Sequence, residues 1–262
     1  MDMNRRASLW RARWERLRVL TRKVGRQSDI TFQELVKRNC HLLPGAEYSL
    51  IFEEARQATS LEDDNRNQTR KFLRQAGLYH CLRSVLGSGL EGDFAECGSF
   101  RGQAAYLIAR LMELHNRSGE LHIFDSFAGL SQFVKADNVG LQRDKQQTDR
   151  MRAHFAFPEE VLCRNLARFD IIRVHAGWIP ERFPEVADRR FALTHIDVDL
   201  YEPTLQSLRF FYPRTVPGGW LIVDDYNSVS FPGAKAAVDE FLKDETPCCA
   251  LPQQVGAFLI RK

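Results

Sequence analysis

The chain has 262 residues, 44% of them hydrophobic and 27% charged, with a formal net charge of +3. That balance excludes a disordered or fibrous chain and suits one α/β domain with appended helices, or at most two domains. The charge is uneven: nine Lys/Arg against Asp2 and Glu15 make residues 1–26 an arm of +7, which leaves −4 for the other 236 residues and excludes a basic nucleic-acid-binding body.

The arm reads as an amphipathic helix, with Trp10, Trp14, Leu17 and Val24 on one stripe and arginines around it. Such a face suits an anionic membrane surface or a partner, so membrane contact through residues 1–26 is expected. Short helices are expected at 31–38 and 47–58, broken at Pro44-Gly45. A longer one is expected over 66–86, where Phe72, Leu73, Ala76, Tyr79, Leu82, Val85 and Leu86 recur at helical intervals. From Gly92 the pattern alternates. Strands are expected at 93–97, 121–124, 171–175, 191–198, 220–223 and 257–260, and helices at 103–115, 159–168, 201–212 and 234–243. Residues 128–150 are polar and read as a mobile loop with some helix. The expected organisation is an arm (1–27), a helical lead-in (28–90) and an α/β domain (91–262). That domain is Rossmann-like, a mostly parallel sheet with helices on both faces. Ligands of such sheets sit outside the carboxyl ends of the strands.

The six cysteines, at 40, 81, 97, 163, 248 and 249, form no CxxC pair and no zinc spacing, and read as reduced thiols. No run reaches about 18 apolar residues, and the N-terminus has no apolar signal core. A cytoplasmic location is expected, peripheral at the membrane if the arm binds there.

Two stretches carry chemistry. Glu96-Cys97-Gly98-Ser99-Phe100-Arg101-Gly102 follows a strand and opens a helix. Glycine at 98 permits a tight turn and a close ligand approach. An acidic residue two before it repels a pyrophosphate and suits a cationic amino group, which points from NAD to S-adenosylmethionine. A plain strand-to-helix turn explains this segment equally well on its own. Asp125, 27 residues past Gly98 at the next strand tip, suits two ribose hydroxyls. Gly177-Trp178, after the third strand, offers either a stacking surface for adenine or a core tryptophan under a turn. The second stretch is His195-Ile196-Asp197-Val198-Asp199-Leu200-Tyr201-Glu202, followed one strand later by Asp224-Asp225. Four carboxylates at two strand tips repel one another unless a cation or protons compensate. Hard oxygen ligands suit Mg²⁺, Ca²⁺ or Mn²⁺. His195, inside a strand, reads as a hydrogen-bonded core residue.

These segments, in order, resemble the macrocin O-methyltransferase (TylF-like) family over residues from about 66 to 262. The carriers are Gly92-Asp93-Phe94-Ala95-Glu96-Cys97-Gly98 with Gly102, Phe124-Asp125-Ser126-Phe127-Ala128-Gly129-Leu130, and Ile196 through Thr204. Gly218 through Tyr226 and Gly233 through Phe241 complete them. The resemblance implies a class I methyltransferase fold and Mg²⁺-dependent methylation of a small-molecule hydroxyl, often on a sugar of a natural product. It implies S-adenosylmethionine binding around Glu96, Gly98, Gly102, Asp125, Ser126, Gly177 and Trp178. It implies metal ligation by Asp197, Asp224 and Asp225, with Asp199 as general base, and a homo-oligomer. Strand alternation would send Asp197 and Asp199 to the same side. The arm and residues 131–155 depart from the family pattern. A catechol-type methyltransferase and a non-catalytic S-adenosylmethionine-binding protein are the alternatives. Nucleic acid is not an expected partner, since no Asn/Asp-Pro-Pro-Tyr-type segment is present.

Overall fold

A computed structural model describes residues 45–59, 68–253 and 256–262. The arm and the expected helix at 31–38 lie outside them. The described residues fall in one compact unit, Leu43–Lys262, so the helices expected at 47–58 and 66–86 share a body with the sheet.

Helix α1 (Ala46–Thr59) buries Tyr48, Ile51, Phe52, Ala55 and Thr59, one stripe at spacings of three and four. It packs on helix α2 (Gln68–Ser88). The Phe72 ring lies 4.7 Å from that of Tyr48 and 5.0 Å from that of Phe52. Tyr48 Oη donates to the Phe72 carbonyl.

Next come β1 (Asp93–Cys97), α3 (Gln103–Leu114), β2 (Leu121–Asp125), α4 (Lys145–His154), α5 (Glu159–Asn165), β3 (Ile172–Ala176) and β4 (Phe191–Ile196). Then follow α6 (Tyr201–Arg214), β5 (Thr215–Val223), α7 (Pro232–Asp244), β6 (Cys249–Pro252) and β7 (Phe258–Arg261). The seven strands lie in the order β3-β2-β1-β4-β5-β7-β6. All pairs are parallel up to β5, and β7 runs antiparallel to both β5 and β6. β1 and β4 are buried at every position, as the central strands of a sheet covered on both faces must be. One core layer joins Phe124, Phe183, Phe191 and Phe211 with Leu208, Val238 and Phe241 of the covering helices. This is the mostly parallel, Rossmann-like sheet that the alternation predicts.

Four details differ from expectation. β4 stops at Ile196 rather than at 198, because after a last bond from the Asp197 amide to the Cys97 carbonyl the chain leaves the sheet to turn at Asp199. β5 starts at Thr215, directly after α6, and takes Gly218-Gly219 into the strand across a register shift between Phe191 and Leu193. β6 carries no alternating apolar signal; it is an exposed edge ending in Pro252, where such a signal is not needed. The polar segment holds a 3-10 turn at Lys135–Asn138, and its expected helix, α4, runs past residue 150 to His154. Asp144 caps α4 reciprocally with Gln147, at 2.7 and 3.0 Å. No helix among the described residues is long and apolar enough to cross a membrane.

Asp137 fastens that segment to the sheet. Its buried carboxylate accepts from Tyr201 N, the first amide of α6, at 2.7 Å and from Val134 N at 2.8 Å. Asp137→Ala is therefore expected to lower stability by about 0.5–2 kcal/mol, the usual range for a lost helix cap. Urea denaturation measures it, and an unchanged midpoint would show that the tie contributes nothing.

Candidate active site

Strand order runs β1-β2-β3 one way and β4-β5 the other, so the crevice between β1 and β4 is the switch point where such sheets take ligands. On the β1 side, Gly98 has φ +78°. A Cβ there would lie 2.1 Å from the Asp197 carbonyl oxygen, so glycine lets the β1 and β4 tips touch. Gly102 has a packing reason as well: a Cβ would meet Leu162 Cδ1 at 2.8 Å.

Asp125 Oδ2 accepts from Ser99 N at 2.8 Å, Phe100 N at 3.2 Å and Ser99 Oγ at 3.2 Å, and Oδ1 accepts from Phe127 N at 2.9 Å. The carboxylate thus ties the β1 and β2 tips together. Ser126 Oγ donates to the Gly129 carbonyl at 3.0 Å and closes its own turn. Gly177 N donates to the Asp125 carbonyl at 2.9 Å, which holds Trp178, half-buried, at the end of β3. Gly98, Asp125, Ser126, Gly177 and Trp178 therefore stand at the β1–β2–β3 tips, with Glu96 one residue inside the end of β1 and Gly102 at the start of α3.

The four aspartates do converge, though not by strand alternation. Asp197 N still bonds the Cys97 carbonyl at 2.8 Å, and Asp224 N bonds the Ile196 carbonyl at 2.8 Å, so both sit at the last rungs. The chain then turns sharply, with Asp199 at φ +59° and Asp225 at φ +61°. Left-handed aspartates are uncommon, and such strain clusters at functional sites. Asp197, Asp199 and Asp225 bring carboxylate oxygens within 4.8 Å of one another, and His195, Asp197 and Asp224 form a second such group. Asp224 therefore faces His195 rather than joining Asp225 in one triad.

Two members of the site were not picked out from the sequence. His195 is buried and bridges Glu96 Oε1 at 3.1 Å and Asp224 Oδ2 at 3.4 Å. Its strand register sets it directly beside Glu96. Arg74, from α2, reaches the other aspartates: Nε lies 3.1 Å from Asp224, Nη1 3.3 Å from Asp225 and Nη2 3.6 Å from Asp197. A signal for Arg74 existed, since it heads the stripe of buried Leu78, Cys81 and Val85 and a charge on such a stripe needs a partner.

Five carboxylates here face two cationic side chains. Burial opposes a charge on His195, yet Asp224 and Glu96 hold its pKa up at about 10. Burial raises Glu96, with His195 opposing. Burial and then repulsion from Asp225 and Asp197 push Asp199 well above the usual carboxylate range. Burial acts the same way on Asp224, but Arg74 and His195 outweigh it and keep that group low. The donor set fits a divalent cation: hard oxygens, close together, with negative charge in excess. The β1 tip fits an ammonium, because Glu96 Oε2 is buried with no donor among the described residues.

Compared with known proteins, residues 68–248 match the family model described as Macrocin-O-methyltransferase (TylF). Demethyldecarbamoylnovobiocin O-methyltransferase of Streptomyces niveus is 32% identical over 173 residues, 64% of this chain and 64% of the relative. 8-Demethyl-8-(2,3-dimethoxy-alpha-L-rhamnosyl)-tetracenomycin-C 4'-O-methyltransferase of Streptomyces olivaceus is 32% identical over 161 residues, 58% of this chain and 60% of the relative. The chain spans less than two thirds of the length of each. The solved structure of the O-methyltransferase NovP matches with a TM-score of 0.68 over 82% of this chain and 99% of that one. At 24% identity, that likeness shows the fold.

His195→Ala strands two buried carboxylates and is expected to cost about 3–5 kcal/mol, the usual penalty for breaking a buried ion pair. The sign of the pH dependence follows from the raised pKa. The contribution of His195 is complete below 6.5, its unfolded value, and is lost as pH rises through about 10. Stability should therefore fall between about pH 7.5 and 9, and His195→Gln should flatten that slope. Equal slopes in both proteins would place the titration elsewhere.

Proposed function

The chain belongs to the macrocin O-methyltransferase family, and from that premise we propose that it methylates a hydroxyl of a small molecule with S-adenosylmethionine. The acceptor class we infer is a sugar or a glycosylated natural product, as the rhamnosyl group in the name of the Streptomyces olivaceus relative suggests. The observation that carries the reading is the convergence of four aspartates from the β4 and β5 tips beside the Gly98 turn.

In this reading Glu96 Oε2, which has no donor of its own, receives the amino group of the cosubstrate. Asp125, whose Oδ2 already accepts three bonds, offers the lone pair left on Oδ1 to a ribose hydroxyl, and Trp178 offers its face to adenine. Asp197 and Asp225 would hold Mg²⁺ or another divalent cation, and Asp224, which lies near Asp197 but faces His195, would have to turn to complete the set. The bound cation supplies Lewis-acid chemistry, lowering the pKa of the acceptor hydroxyl. Asp199 takes the hydroxyl proton as oxygen bonds to the methyl carbon, and the carbon–sulfur bond breaks with its electron pair left on sulfur. Burial and repulsion from Asp225 and Asp197 raise the pKa of Asp199, and positive charge held by the neighbouring carboxylates would favour its ionised form. Holding the two reactants in contact removes roughly 7–11 kcal/mol of barrier.

Calorimetry should show S-adenosylmethionine binding that Glu96→Gln weakens, and chelation should abolish methyl transfer to a panel of sugars and glycosides until Mg²⁺ is restored. Asp199→Asn should lose roughly 10²–10⁴ in kcat with binding of the cosubstrate unchanged. Absence of S-adenosylmethionine binding would overturn the reading. Full turnover in excess chelator would remove the cation from it.

A further inference from the structure

Arg74 occupies the ground on which a divalent cation would sit. Its guanidinium lies within 3.1–3.6 Å of Asp197, Asp224 and Asp225, the three proposed ligands, and its side chain is 20% exposed. The fit is poor for an arginine. Guanidinium groups favour a two-pronged pairing with one carboxylate. Here one head is split over three carboxylates from two strand tips. Only its Nη1 bond to Asp225 has hydrogen-bond geometry among these contacts, and Nε has no aligned acceptor despite lying 3.1 Å from Asp224. The cluster is thus offset in part by a charge that it does not match in shape. Three hard carboxylates match a small divalent ion better. The two cations repel and draw on the same oxygens, so they exclude each other.

We propose that Arg74 is a resident counter-cation of the aspartate cluster, which a divalent cation must displace in order to bind. This rests on the metal reading above and deepens it. Arg74 keeps the aspartates from repelling one another in the empty site. It also sets a threshold for loading: if the cluster is free of Arg74 a tenth of the time, apparent cation affinity falls about tenfold. Because Arg74 stands in the second turn of α2, loading is coupled to the helix that covers β4 and β5.

Mn²⁺ is the probe, titrated calorimetrically into the full chain and into Arg74→Gln and Arg74→Lys variants, with Asp225→Asn as a control for the site. Arg74→Gln is expected to bind Mn²⁺ about tenfold more tightly, to melt at a lower temperature without metal, and to recover with it. Arg74→Lys, which keeps the charge on a more compact head, should fall between. Equal or weaker Mn²⁺ binding by Arg74→Gln, with wild type still binding, would overturn the inference and leave the metal reading intact. No Mn²⁺ binding by any of these chains would overturn both. If Arg74→Gln does not fold, hydrogen exchange of the wild type decides. Saturating Mn²⁺ should speed exchange at residues 71–78 as the side chain is released, and unchanged or slower exchange there would overturn the displacement.

Discussion

The buried line Glu96–His195–Asp224 is the interaction on which the rest of the site depends. It crosses the sheet at the switch point, from β1 through β4 to the tip of β5, at 3.1 and 3.4 Å. Each carboxylate alone would be costly to bury, and the shared imidazolium makes both tolerable. By fixing three strand tips at one level, the line sets the Gly98 turn and both aspartate turns side by side. The two proposed halves of the site, amino-group receptor and cation cluster, are therefore parts of one charge system.

Around that line the connecting segments are fastened rather than loosely draped. Asp137 caps α6 immediately beyond the Asp199 turn, and Arg143 donates to the Ser230 carbonyl a few residues past Asp225. Ala128 and Ala156 pair as an isolated bridge. Phe155 and Phe157 set their rings 6.0 and 5.3 Å from Phe100, over the turn that follows Gly98. The polar segment thus brings an aromatic rim to the β1 tip. A low-dielectric rim beside a charged cluster strengthens every interaction within it.

Much of this was legible in the sequence. Buried parallel strands announce themselves as short apolar runs between turn signals, and so β1 through β5 stood out. The acidic residues stood out because they close such runs. What escaped notice has physical reasons. β4 ends two residues early because the chain must turn at Asp199, and a left-handed aspartate has no signature apart from its residue type. β6 is an exposed edge with no periodicity to detect. His195 reads as a core residue and is one, yet its role comes from neighbours on two other strands. Arg74 lies more than a hundred residues from the aspartates it meets, and only the fold brings them together.

The charge excess links folding to chemistry. Arg74 and His195 together cannot neutralise five carboxylates, so the cluster keeps an excess of negative charge that favours protons or a cation. Asp199 is the natural holder of a proton, being buried and pressed by two neighbours, whereas Asp224 is kept ionised by both cationic side chains. The proposed base is thus the carboxylate that its neighbours press hardest toward the neutral form. In the proposed reading, that repulsion is also what a divalent cation would relieve, so loading the site and readying the base would be one electrostatic event.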